Sequence, residues 1–458
     1  MNNPRVSIVS LGCSRNDVDS EELAGRLSAD GWSLVETGEA SDVVLINTCG
    51  FIEQAKKDSI DTILEASDAM AGKGKVVAVG CLAQRYGKEL AAELPEADAI
   101  LSFDDYSNIG STLRRVMAGE EIQAHTPGDR RNLLSITPVE RPAQRDEVAV
   151  PGMGPHIYRT RLENTPWAPL KIASGCDRRC TFCAIPAFRG SFVSRDPEEV
   201  AAEAMWLGQN GVRELLLVSE NSTSYGKDLG DLRMLEKLLP LLTQAEGIDW
   251  VRVSYLQPAE MRPDLIQVIA NTPGVVPYFD LSFQHASNSV LRRMKRFGGT
   301  NEFLDLLGAI RVHNPLAGAR TNVIVGFPGE TEDDINELAA FIEAAQLDSV
   351  GVFAYSDEEG TAAVDLDGHL PDHEVTARFD MISKLAARIS DNTAASRIGQ
   401  EVTVLIEAED NVGRSEHQGP EVDGITTVFA NSELPIGTFV KAIVTDTDGV
   451  DLVAEVPE

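Results

Sequence analysis

Cysteine is scarce in this sequence: six in 458 residues, too few for a disulfide scaffold. Long apolar runs are missing too. The longest, such as ELLLV around Leu215, falls far short of the ~18 apolar residues of a membrane helix. The opening MNNPRVSIVSLGCSRND has no basic patch leading into an apolar signal core. Cations are few, with 40 Lys and Arg against 72 Asp and Glu, a formal charge of −32. Such a surface repels phosphate backbones and attracts basic partners, although it does not exclude a local basic groove. These deficits point to a soluble, cytoplasmic chain that is neither a membrane protein nor a general nucleic-acid binder. With 43% apolar and 24% charged residues, the balance is that of a globular protein.

The length allows three domains at ~100–200 residues each, and the pattern changes character three times. Through residue 124, the β-branched runs VSIVS (6–10), VVLIN (43–47) and VVAVG (76–80) alternate with helical stretches over 18–29, 53–68 and 84–93. This is the signature of a Rossmann-like parallel α/β sheet. Residues 125–165 hold five prolines, mixed charge and no sustained period, and read as a linker or surface excursion. From 166 to 395, six strand candidates (170–174, 214–219, 250–256, 279–283, 322–327 and 349–355) are separated by helical patterns. Alternation alone leaves a barrel and a doubly wound sheet equally open. From 396 to 458, short strands punctuated by Gly, Asn and Asp suggest a small OB-like β-barrel.

The cysteines divide three and three. Cys13, Cys49 and Cys81 each fall just after a strand, in LGC, NTCG and GC. The carboxyl ends of parallel strands share one edge, where ligands bind, so three thiols distant in sequence should converge. Buried, inert thiols are the alternative. Cys176, Cys180 and Cys183 form a C-x3-C-x2-C loop after the first strand of the second region. That spacing directs three thiolates at one soft-metal site. Structural zinc wants four closed ligands, and no fourth Cys or His stands nearby. A 4Fe–4S cluster on three thiolates keeps one iron free for a substrate or cofactor. Phe182, just before the last cysteine, suits packing against a planar ring.

This loop ahead of further β/α units resembles that of the radical S-adenosylmethionine (SAM) superfamily. The resemblance implies a partial (β/α)6 barrel, SAM chelated at the open iron, and cleavage to a 5′-deoxyadenosyl radical. LGCSRNDVDSE, INTCGFIEQAK and VAVGCLAQRY are similar to the N-terminal domain of the methylthiotransferase family, which ends in a small barrel called TRAM. The likeness spans essentially the whole chain. It implies a second 4Fe–4S cluster on Cys13, Cys49 and Cys81, whose open iron carries the sulfur to be inserted. One SAM would methylate that sulfur, and the radical from another would open the substrate carbon. A reductant and a sulfur source are then required.

Further segments extend the resemblance. In SENSTSYG (219–226), Glu220 stands where it could hold the SAM ammonium. FQHASNSVLRRMKR (283–296) matches a family segment and offers Gln284 and His285. VGFPGETEDD (325–334) is a strand-to-helix turn, not a phosphate loop, since no G-K-[ST] closes it. Thr331 can cap its helix, and the likeness places Gly326 against SAM. Arg320, at the head of that strand, is either a SAM contact or a structural ion pair. Arg189 and Arg195 of RGSFVSR could likewise pair with carboxylates.

Two branches of the family differ in substrate: an adenosine of transfer RNA, or the β-carbon of an aspartate in the small-subunit ribosomal protein S-twelve. Residues 399–458 carry two basic residues, Arg414 and Lys441, against thirteen acids, with Phe429 and Phe439 the only aromatics. An RNA-gripping barrel needs a basic groove and stacking rings. This one suits a basic ribosomal protein by complementary potentials. YSDEEGTAA (355–363) also looks more like the ribosomal-protein branch.

Overall fold

A computed structural model describes residues 3–457. The first unit is a five-stranded, wholly parallel sheet. Its spatial order is Ser33–Leu34, Arg5–Ser10, Val43–Thr48, Lys75–Val79, Ala99–Ile100. Winding reverses between Arg5–Ser10 and Val43–Thr48, and this is the position where doubly wound sheets open a crevice for ligands. Helices Ser14–Ala29, Glu53–Met70 and Gly80–Glu93 follow the strands, each begun within a few residues of a cysteine.

The second unit is a partial barrel. Trp167–Lys171, Glu214–Val218 and Trp250–Val253 pair in parallel, as do Tyr278–Gln284, Gly318–Val325 and Ser349–Ala354. Bridges Val251–Val275 and Leu256–Leu281 join the two halves, and no pairing joins the first strand to the last among the described residues. Six β/α units thus form an open barrel, and its apolar core is one continuous cluster running from Ala168 to Ile389. The third unit, Glu401–Glu455, is a closed five-stranded barrel.

Residues between the first two units are not a loose tether. They carry short 3-10 turns at Arg130–Asn132, Pro138–Glu147 and His156–Tyr158 and anchor by arginine. Buried Arg159 donates to Glu21 of the first helix (2.6 Å) and to Glu203 of a barrel helix (2.5 Å). Arg141 grips Asp177, inside the cysteine loop, at 2.8 Å. The segment is therefore a strap that clamps the sheet domain to the barrel.

The third unit docks at the amino-terminal ends of the barrel strands and reaches the first helix, where the Ser14 hydroxyl donates to Glu421 at 3.4 Å. Glu214, fully buried, pairs with Arg252 (2.6 Å) from the barrel and Arg414 (2.7 Å) from the small domain. Tyr278 donates to Asp423, and Trp250 packs on Phe439 with ring centroids 4.7 Å apart.

Candidate functional site

The first thiol triad is assembled by close backbone approach. Gly12 has φ +103°, and a Cβ there would lie 2.8 Å from the Cβ of Cys49. A Cβ on Gly50 would meet the backbone of Leu82 at 2.8 Å. Glycine next to the cysteine is thus what lets the three turns nest. Asn16 holds the Cys13 turn by donating to the carbonyls of Leu11 (2.6 Å) and Asn47 (3.2 Å). Burial pushes Cys49 up to about 11 and also raises Cys81. Burial acts the same way on Cys13, but the adjoining Arg15 and Arg189 guanidiniums bring it below the ordinary thiol value.

The second triad lies at the carboxyl end of the first barrel strand. Cys176 donates its backbone N–H to Gly190, Thr181 to Met294, and Asp177 accepts from Phe192. Burial raises Cys176 and pushes Cys183 up to about 12, so this pocket favours thiols over free thiolates until a cation arrives. Among the described residues, no group of three or more Cys, His, Asp or Glu side chains stands close enough together to hold a metal ion. Phe182 packs against the barrel core.

Three charged side chains that join the triads were not singled out together in the sequence. Arg15 donates from Nε to the Cys13 sulfur (3.4 Å) and from Nη1 to the Ser219 carbonyl (3.4 Å), with its guanidinium 4.5 Å from the Tyr255 ring centre. Its charge also acts on Cys49 and on Cys183 of the other triad. Arg189 donates to the Cys81 sulfur (3.2 Å) and to Asp19 (2.9 Å), which also pairs with buried Lys171 (2.5 Å). Glu220 lies between them, 3.8 Å from Arg15 and 3.7 Å from Arg189, and its charge reaches Cys176. Both of its carboxylate oxygens are buried without a hydrogen-bond partner, as is Nη1 of Arg189. A buried carboxylate without donors costs free energy, so Glu220 has unmet capacity to accept hydrogen bonds.

A cavity of about 150 Å³ opens beside Cys13 into the barrel interior, walled by Tyr255, Asp280, Arg320 and Tyr278 and roofed by Gly419–Val422 of the small domain. Arg320 faces two acids here, Asp423 at 3.4 Å and Asp280 at 3.9 Å. It is therefore engaged in an ion pair, and it sits third in its strand, away from the strand's carboxyl end. Gln284 ends its strand at φ +72° beside a register shift. His285 is fully buried, accepts from the Ser287 N–H and lies 3.4 Å from Glu330. Gly326, at φ +77°, donates its N–H to Glu330, and a Cβ there would press into Val375. Thr331 caps its helix through a reciprocal box with Asp334. Arg195 is paired with Glu203 at 2.6 Å.

An open six-unit barrel with a three-thiol loop after its first strand defines a radical SAM protein. Here it is extended by a cysteine-bearing sheet domain and a small β-barrel. Residues 5–102 match the uncharacterized protein family UPF0004, 170–342 the radical SAM superfamily and 398–456 the TRAM domain. Two relatives, both named ribosomal protein uS12 methylthiotransferase RimO, come from Kineococcus radiotolerans and a Nocardioides species. Each is 58% identical over 98% of this chain and 96% of its own length. The chain belongs to this family of radical SAM methylthiotransferases. Among solved structures, the radical SAM methyltransferase TsrM from Kitasatospora setae shares the fold, with a TM-score of 0.56 at 13% identity over 77% of this chain and 73% of its own.

Proposed function

We propose that this enzyme methylthiolates the β-carbon of an aspartate in ribosomal protein uS12, with one 4Fe–4S cluster on Cys13, Cys49 and Cys81 and another on Cys176, Cys180 and Cys183. The observation that supports the reading is the Arg15–Glu220–Arg189 bridge, whose arginines contact the Cys13 and Cys81 sulfurs and whose carboxylate charge reaches Cys176. The donor sets fit the clusters: three soft sulfurs each, with Glu220 holding two unpartnered oxygens beside them. Bound there, the clusters supply one-electron reduction of SAM and an iron corner that carries sulfur.

The remaining work falls to the chain. Glu220 receives the methionyl ammonium group, and its buried oxygens gain the donors they lack. Phe182, Gln284 and Gly326 complete the SAM surroundings, whereas Arg320 is engaged with Asp280 and Asp423. The strap and the small domain close the chamber against water, which protects a reactive intermediate. An electron donor and a sulfur source must reach this chamber from outside.

The third domain supports a protein substrate over RNA. Its Arg414 is buried in an ion pair, its Lys441 pairs with Glu401, and Phe439 is packed against Trp250. Of its thirteen acids, those not engaged as Glu401, Glu407 and Asp423 are can meet a basic partner. No helix among the described residues is long and apolar enough to cross a membrane, in keeping with work on ribosomal protein in the cytoplasm. The test is mass spectrometry of uS12 and of transfer RNA after incubation with reduced, reconstituted enzyme and SAM. We expect one methylthio group on an aspartate of uS12; modification of a transfer-RNA adenosine with uS12 untouched would overturn the proposal.

A further inference from the structure

We infer that Arg15 is the residue that binds the carboxylate of the substrate aspartate and so sets the enzyme's preference for an acidic side chain. The inference rests on the reading of the substrate given above. The reacting β-carbon is bonded directly to the carboxyl carbon, so a group that holds the carboxylate must stand between the two triads.

Three arginine side chains reach a cysteine sulfur, and two of them are already committed, as is Arg320 on the wall of the adjoining cavity. Arg189 is held by Asp19 and the Cys81 sulfur. Arg296 donates to the Ser282 carbonyl and lies 3.8 Å from the Cys180 sulfur. Arg320 is flanked by Asp280 and Asp423, and a third carboxylate would meet their repulsion. Arg15 has a single acidic neighbour, Glu220, at 3.8 Å and without a hydrogen bond. No hydrogen bond runs from its Nη2 to any described residue.

Its surroundings hold the guanidinium in place without neutralising it. The Cys13 sulfur fixes Nε, the Ser219 carbonyl fixes Nη1 and the Tyr255 ring supports one face, an arrangement that stabilises a cation by its quadrupole. Residues 12–14 and Tyr255 also line the cavity that leads into the chamber. Once the methionyl ammonium group occupies Glu220, Arg15 keeps its charge, and the Cys13 sulfur engages only its Nε, so no carboxylate is committed to its outer edge. A planar guanidinium with an open edge is suited to a carboxylate.

The experiment uses the reconstituted full-length enzyme with SAM and measures the dissociation constants of two peptides. One carries the uS12 segment with its aspartate, and the other has asparagine in its place. A charge-assisted contact predicts that the wild type prefers the aspartate peptide by about 10- to 100-fold. In Arg15→Gln the two should bind within about threefold of each other, and Arg15→Lys should retain part of the preference. Equal binding by the wild type overturns the inference without any variant. So does a preference that survives in Arg15→Gln but collapses in Arg320→Gln. A wild type that modifies the aspartate peptide under either of those outcomes leaves the uS12 reading standing, whereas failure to bind or modify either peptide overturns both.

Discussion

The small C-terminal barrel is fastened to the catalytic barrel by a charge cluster, and Glu214→Gln isolates it. Glu214 is fully buried and accepts from Arg252 and Arg414 at 2.6 and 2.7 Å; Arg414 also pairs with Glu407, and Arg252 reaches the Glu416 carbonyl at 2.7 Å. Removing the central charge leaves two buried guanidiniums with one partly exposed carboxylate. Breaking a buried pair by deleting one partner costs roughly 3–5 kcal/mol. Glutamine keeps the shape and one acceptor, so we expect about 3 kcal/mol, the lower end of that range. Burial alone would raise the Glu214 carboxyl, but Arg252 and Arg414 more than offset it and hold it below its ordinary value. The stabilisation is therefore complete above the unfolded carboxyl's ordinary value and fades as pH falls through the depressed one. Urea unfolding followed by near-ultraviolet circular dichroism should show the loss at neutral pH and a smaller gap between variant and wild type in acid. Glu407→Gln, at a single and more exposed pair, should cost clearly less. Identical unfolding of Glu214→Gln and wild type at neutral pH would refute the argument.

Three further outcomes are expected. Reconstituted wild type should hold about eight irons, and alanine at Cys176, Cys180 and Cys183 should leave about four while abolishing SAM cleavage; surviving cleavage would show the roles of the triads to be misassigned. Asp17 is pushed up to about 7 by burial, aided by Glu421 and Glu163 across from it and opposed by the Ser10 hydroxyl. The folded state thus keeps a proton that the unfolded chain loses, and stability falls between about pH 4 and 7. Asp17→Asn should match wild type below that window in thermal melts and exceed it by about 4 kcal/mol above it; a constant difference across pH would contradict the assignment. Gly25→Ala should lower the melting temperature despite alanine's better helix propensity, since its Cβ would lie 1.8 Å from the Tyr158 carbonyl. The overpacking costs about 1–3 kcal/mol, and a stabilised variant would show the strap does not press on this helix.

Much of the architecture was legible because it is written in local periodicity. Strand runs such as VVLIN and VVAVG, and the six longer-pitch units, fall on observed strands, and each N-terminal cysteine stands where its strand ends. Thr331 as a helix cap was likewise local chemistry. The strap was not legible in the same way. Its anchors are single arginines, 130, 141 and 159, whose partners lie 26 to 138 residues distant, and long-range ion pairing leaves no period in the chain. For the same reason Arg15 passed as one more basic residue in SRND. Only the fold brings it to Ser219 and Glu220, two hundred residues away. Arg320 is a mixed case: Asp280 stands beside it on the paired strand, and Asp423 joins only when the small barrel docks.

The strap has a consequence for how the enzyme is filled. Arg159 ties Glu21 to Glu203, and Asp19 is shared between Lys171 and Arg189, so prising the halves apart would strand ions in the interior at a cost of several kcal/mol each. This molecule is a fixed vise and not a clamshell. A substrate must therefore reach the interior while the two halves stay together, and release of product cannot rely on their separation.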